Sequence, residues 1–319
     1  MYITVKNEFK HRERGETTEG HREKMQIIKT LCPLCFPNCV LCGKNLYSLV
    51  IQDSMKKLTF FLSVISIILI FSACTKVIDL KLGNDSGKLV IEGNITNQDS
   101  VQIIKLTRNV PFTSTNTYPA VSGATVTITD NKNNTYPFTE GPAGTYTSAP
   151  FMGVAGNTYK MTVVSGGTTY TASSVMPALV KLDSITEKKA DFKTNNDLRE
   201  ITVHYQDPPG MPNQYRFIMW VNGVEVSTVF AYNDEFSDGR YVNGDLVENS
   251  NDIHAGDTVK VEMQCVDLPV YTYWFTLMEQ EFGGPDGGVA PSNPPTNITP
   301  AVLGYFSAHT TQTETIVLQ

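Results

Sequence analysis

From residue 89 onward the chain alternates apolar and polar side chains in short runs, the period of half-buried strands. Leu89, Ile91 and Ile95 fall on one side of the first run, and residues 101–106 form the next. Ala124, Val126 and Ile128 alternate strictly with Thr125, Thr127 and Thr129. Asp130-Asn131-Lys132-Asn133-Asn134 follows, and Asn and Asp both tolerate left-handed backbone and bond their own main chain, so a hairpin is expected into residues 135–138. Tyr159, Met161 and Val163 lead through Ser165-Gly166-Gly167 into residues 169–172, a second hairpin. Strands rich in Thr, Val and Tyr at this spacing predict a β-sandwich over residues 87–178, with its last strand stopping near Pro177.

The alternation resumes at Leu182. Ile201, Val203 and Tyr205 share a face, and Asp207-Pro208-Pro209-Gly210 breaks that strand. Tyr215, Phe217, Met219 and Val221 form the next, and Asn222-Gly223 favours the positive φ angles of a tight hairpin turn into residues 224–230. Val259, Val261, Met263 and Cys265 alternate with Lys260, Glu262 and Gln264, which makes Cys265 a buried strand thiol. Residues 270–282 carry the one helical pattern, with Trp274, Leu277, Met278 and Glu281 at helical spacing and Gly283-Gly284-Pro285 as the stop. Residues 283–300 read as a Gly/Pro/Asn-rich loop before two closing strands at 302–308 and 314–318. The predicted fold class is all-β, with two β-sandwich domains: the first has an architecture that resembles Ig-like and transthyretin-like domains, and the larger, over residues 179–319, carries one short helix.

Ahead of this β region the pattern changes. Met55-Lys56-Lys57 is followed by an apolar run from Leu58 to Ala73, 16 residues long, and Ser72-Ala73 precede Cys74. A helix needs about 20 apolar residues to span the hydrocarbon core. A charged start, a short apolar stretch and small residues before a cysteine instead match a lipoprotein signal peptide over 55–73, cleaved before Cys74. In the lipoproteins this segment resembles, the new terminal cysteine carries acyl chains, and several chains make a lasting anchor where one holds only marginally. Residues 74–86 then form a polar tether. Residues 1–54 are expected to be a mis-assigned or discarded N-terminal extension. Their Cys32, Cys35, Cys39 and Cys42 form two Cys-x-x-Cys pairs only three residues apart, whereas zinc ribbons separate such pairs by about 15–20.

Composition narrows the partners. Residues 1–73 hold ten of the 25 Lys and Arg and six of the 32 Asp and Glu, so the 246 residues from Cys74 carry fifteen bases against twenty-six acids, a net charge of −11. A nucleic-acid partner is excluded, because phosphate binding needs a basic footprint. The same charge opposes adhesion to anionic lipid, so the expected membrane contact runs through the anchor.

Candidate chemistry is sparse. His204 lies on the polar face of a strand, His254 precedes a Gly-Asp turn, and His309 ends a strand; all three are read as surface or hydrogen-bonding histidines. No metal-ligand, nucleophile-elbow or phosphate-loop motif occurs, and no cofactor is implied. Asp234, Glu235 and Asp238 offer oxygen ligands for Ca²⁺, although their spacing departs from the EF-hand pattern, and a solvated acidic loop is the alternative. Tyr271, Tyr273, Trp274 and Phe275 form either a ligand platform or part of the core. With Asn293 and Asn297 of the following loop they mark the expected ligand or partner surface, since long loops of that composition are uncommon unless functional or disordered.

Several motifs occur together in order: the cysteine-terminated signal segment, Ser122-Gly-Ala-Thr-Val-Thr-Ile-Thr-Asp-Asn131, Phe236-Ser-Asp-Gly239, Ala255-Gly-Asp-Thr-Val259, Tyr271-Thr-Tyr-Trp274, Asn293-Pro-Pro-Thr-Asn-Ile298 and Leu303-Gly-Tyr-Phe306. This set resembles the domain of unknown function 4249 family of Bacteroidota-type lipoproteins. The resemblance covers essentially all of the chain from Cys74. It implies an outer-membrane lipoprotein, facing the periplasm or the cell surface and encoded beside a TonB-dependent receptor, and it brings no established activity. The expected function is therefore that of a non-enzymatic accessory or binding protein that assists such a receptor in nutrient uptake. The alternative is an envelope hydrolase with an unrecognised carboxylate site.

Overall fold

The computed structural model describes residues 86–319 except 112–113, 116, 191–197, 249–251 and 283–291. The N-terminal extension 1–54 with its four cysteines, the signal segment, Cys74 and the tether through residue 85 lie outside the described residues. Sixteen strands and one helix make up the described chain, so the fold is all-β.

The first seven strands are β1 (Leu89–Thr96), β2 (Ile103–Arg108), β3 (Thr125–Asp130), β4 (Thr135–Glu140), β5 (Thr145–Ser148), β6 (Thr158–Ser165) and β7 (Thr168–Val175); all but the short β5 follow the alternation read from the sequence. Asp130 closes the β3–β4 hairpin by accepting from the Lys132 and Asn134 amides, both at 2.9 Å, and from Asn134 Nδ2 at 2.8 Å. Their inward side chains, among them Ile91, Ile95, Ile104, Leu106, Ile128, Tyr146 and Met161, form a first apolar cluster.

The second stretch contains β8 (Leu182–Lys189), β9 (Arg199–Gln206), β10 (Gln214–Val221), β11 (Val224–Glu225), β12 (Phe230–Asn233), β13 (Tyr241–Leu246) and β14 (Thr258–Cys265). Helix α1 (Leu268–Phe282), β15 (Ile298–Thr299) and β16 (Leu303–Val317) complete the chain. Asn222 and Gly223 have φ of 51° and 81°, both positive as a two-residue hairpin turn with the twist of its strands requires. The small sheet β13-β9-β8 packs across a second apolar cluster from β10 and β14. This is a sandwich, with Ile201, Val203 and Tyr205 on one side facing Phe217, Met219, Val261 and Met263 on the other. Cys265 lies in this core, where burial pushes its thiol pKa up.

The two closing strands expected at the C-terminus are one. Over its 15 residues β16 pairs first in parallel with β1, from Val90–Leu303 to Thr96–His309, and then antiparallel with β14, from Cys265–Thr310 to Thr258–Val317. Phe306 and Ala308 therefore enter the first cluster, and Ile316 and Leu318 pack with the second. A single large sheet results, with the central order β10-β14-β16-β1-β2.

Helix α1 begins where the sequence allows a cap. Asp267 Oδ1 accepts from the Val270 amide at 3.2 Å, and its Oδ2 accepts from Ser174 Oγ at 2.8 Å and the Val175 amide at 3.0 Å. One carboxylate thus starts the helix and fixes it to β7. Val270, Tyr271, Trp274 and Met278 of α1 pack with Ala231, Val266 and Tyr305 in a third apolar cluster. Among the described residues no helix is long and apolar enough to cross a membrane.

Candidate functional site

Alternation forces each central strand to show its second set of side chains on the opposite face of the sheet. On β10 the outward positions are Arg216 and Ile218, on β14 Glu262 and Gln264, on β16 Tyr305 and His309, on β1 Glu92 and Asn94, and on β2 Ile103 and Lys105. These positions come together along one face and, with Trp274 of α1 at one side, line an open groove of about 450 Å³. That volume lies within the range of small-molecule sites.

The register brings the polar groups into contact. Arg216 stands opposite Gln264, and Gln264 opposite Thr311. Arg216 donates to Gln264 Oε1 at 3.3 Å, Gln264 Nε2 donates to Glu262 Oε1 at 2.7 Å, and Thr311 Oγ1 donates to the same oxygen at 2.8 Å. The Arg216 guanidinium lies 3.5 Å from the centre of the Trp274 ring, a cation–π contact. Trp274 and Tyr273 in turn pack against the Tyr305 ring at 5.1 and 5.0 Å. The indole Nε1 of Trp274 is buried without a hydrogen-bond partner, so the ring is held by packing and by the guanidinium.

Burial dominates the electrostatics here. It lowers the Arg216 pKa, against the opposing pull of Tyr305, Glu225 and Glu262. His309 is 2% exposed, its Nδ1 2.9 Å from Ser307 Oγ, and burial followed by the nearby Arg216 charge lowers its pKa to about 3. At neutral pH the groove therefore holds an uncharged imidazole beside a guanidinium. Chemically, the arrangement offers a fixed cation on an aromatic ring, a neutral ring able to donate or accept, and carboxylates close by.

The residues singled out by sequence are distributed differently. Asp234 and Asp238 do converge, but with Asp207 and without Glu235: ligand oxygens of the three aspartates lie within 4.8 Å of one another. Each carboxylate already serves the fold. Asp207 accepts from the Tyr215 hydroxyl and the Gly239 amide, Asp234 from the Asn213 amide at 2.7 Å, and Asp238 from the Gly210 amide at 2.6 Å. Burial, together with Asp207, raises the Tyr215 pKa. Glu235 is exposed. The aromatic set packs largely as core: Tyr271 and Trp274 are buried, and Tyr273 and Phe275 pack against them. Asn297 clasps β16, accepting from the Phe306 amide at 3.0 Å and donating to its carbonyl at 2.7 Å, while Asn293 is exposed.

His204 is on the polar face of β9 as expected, bonded to Thr186 and Asn243, and His254 is exposed. His309 is a correction. It was expected at the surface of a strand end, and it is buried because β16 runs on past it. Arg216, Glu262 and Gln264 carried no motif; the available signal was one cation in the middle of the apolar strand Tyr215-Arg-Phe-Ile-Met219.

The family model described as "Domain of unknown function (DUF4249)" matches residues 75–315. The chain belongs to this family. The match begins one residue after Cys74 and ends two residues before the end of β16, so the DUF4249 region includes α1 and every groove-lining residue of the five strands. No curated protein matches the chain. Among solved structures, that of the Yersinia pseudotuberculosis adhesin InvE is similar at 17% identity over 57% of this chain and 57% of that one, with a TM-score of 0.19. The DUF4249 chain thus matches less than two thirds of the adhesin's length.

Proposed function

We propose that this DUF4249 protein is a lipid-anchored binding protein of the outer membrane, which seats a small polar ligand in the groove and assists a TonB-dependent receptor in its uptake. The observation that carries the reading is the groove itself: about 450 Å³, open, and lined mostly by polar outward positions from five adjacent strands, with Ile103 and Ile218 among them. Apolar outward positions would be the cheaper way to cover this face with α1, so the retained polar groups point to recognition. Placement in the envelope rests on the signal-like segment ending at Cys74. The receptor role rests on the lipoprotein resemblance read from the sequence.

Two outcomes test this. Cells expressing the protein are expected to label it with radioactive palmitate, and Cys74→Ala should abolish the label; equal labelling of both proteins would remove the anchor from the proposal. For the groove, Ile103→Trp adds bulk from a side chain that is 43% exposed on β2, without entering the core. Native mass spectrometry of protein purified from the envelope should find a small molecule released by the wild type, and at least about tenfold less of it from this variant. Equal occupancy, or a wild type that releases nothing, would sink the groove as a ligand seat.

A further inference from the structure

Within the groove, Arg216 stands out chemically. A guanidinium removed from water ordinarily faces a carboxylate, because an uncompensated buried charge is costly. Among the described residues no ion pair includes Arg216. Its partners are aromatic side chains and a neutral amide: Trp274 at 3.5 Å covers one side, Gln264 Oε1 accepts one long bond of 3.3 Å, and the Tyr305 hydroxyl lies within reach of the guanidinium. The guanidinium has five N–H donors in a planar fork suited to a carboxylate, so most of its donor capacity is left for whatever enters the groove.

The surroundings carry the opposite sign. Glu225 and Glu262 lie near enough to act on the Arg216 charge, and both line the groove. Glu262 Oε1 accepts from Gln264 and Thr311, whereas Oε2 accepts from no described residue. Glu225 is exposed on the edge strand β11. Glu92 adds a third carboxylate and Lys105 a second cation, so a polyanion such as phosphate would gain two cations and meet three carboxylates. A neutral sugar could hydrogen-bond to both charge types through its hydroxyls but would neutralise neither. A molecule with one carboxylate and one ammonium satisfies both.

We propose that the groove binds a small zwitterion, a free α-amino acid or a short peptide, with its carboxylate on Arg216 and its ammonium toward Glu262 and Glu225. This rests on the reading of the groove as a ligand seat. Recognition of this kind holds the carboxylate by paired N–H donors and the ammonium by charge, and it leaves the ligand side chain toward the apolar Ile103 and Ile218.

The test is calorimetric titration of the full purified protein, freed of bound ligand by dialysis from denaturant and refolding, against the twenty common amino acids and di- and tripeptides of alanine. Inorganic phosphate and glucose serve as probes of the competing chemistries. At least one zwitterion should bind saturably; amidating its carboxylate or acetylating its amine should each weaken binding about tenfold or more. Arg216→Gln should reproduce the loss caused by amidation. Glu225→Gln, at an exposed position that does not support the fold, should weaken the zwitterion and leave its N-acetyl form unchanged. Binding of phosphate or glucose that Ile103→Trp abolishes would overturn the zwitterion while keeping the groove. Failure of every probe would overturn the zwitterion, and the groove reading would then stand or fall on the mass-spectrometric comparison.

Discussion

Replacing Gly304 with alanine should destabilise the protein by about 3 kcal/mol or more, because two separate costs fall on one atom. Gly304 has a φ of +97°, a left-handed conformation that L side chains rarely adopt. It also pairs with Ile91 in the parallel β1–β16 ladder, and a Cβ there would meet the Ile91 carbonyl oxygen, with Ile91 C and N at 2.8 and 3.0 Å. These are backbone atoms of a fully buried strand residue, so nothing nearby can yield by a rotamer change. Gly256 is the matching control: its φ is +92°, and a Cβ would meet nothing within 4 Å. Gly256→Ala should therefore cost only the conformational part, about 1–2 kcal/mol. Denaturant midpoints measured for the two variants decide the matter. Equal losses would mean that the β1–β16 seam does not depend on this close approach. Because Glu92 and Asn94 of β1 reach the groove only through that seam, Gly304→Ala should also weaken any ligand bound there.

Acidification should reveal His309. Its folded pKa of about 3 lies below the unfolded value near 6.5, so between these values the unfolded chain binds the extra proton. The sign follows directly: the contribution of His309 is complete above pH 6.5 and is lost as the pH falls. The slope approaches about 1.4 kcal/mol per pH unit, so roughly 2–3 kcal/mol disappears between pH 6.5 and 4.5. His309→Gln removes the titration while keeping a polar group beside Ser307. Unfolding free energies of the wild type and this variant, measured across that range, should converge as the pH drops. Parallel curves would show that the imidazole is protonated without penalty and that the burial assigned to it is wrong.

Strand by strand, the sequence was sufficient wherever the information was local. The turn at Asn222-Gly223, the β3–β4 hairpin closed by Asp130, the helix after Cys265 and the burial of Val259, Val261, Met263 and Cys265 all follow from alternation and turn chemistry a few residues apart. Alternation also set Glu262 and Gln264 on the face away from the core, whereas Arg216, between Tyr215 and Phe217, was not singled out. It did not reveal what they face. Asp207 shows the same limit: in sequence it belongs to a strand-breaking Asp-Pro-Pro-Gly, and in the fold it is fully buried against Tyr215.

The groove depends on an event with no local signature. Thr310 to Gln312 look like a polar interruption between two short strands, because in sequence a strand is recognised by its apolar face, and there β16 passes from one core to the next. Its backbone continues because β1 and β14 supply partners for its amides and carbonyls on successive stretches, more than 200 and about 50 residues away in the chain. By itself the sequence determined which side chains are buried and where the chain turns. Only the tertiary structure decided that β16 joins the two cores into one sheet, which places the polar backs of five strands side by side and sets Arg216 next to Trp274 and His309. Hydrogen-bond pairing between distant strands made that choice, and alternation within a strand carries no information about the neighbour on which its register will close.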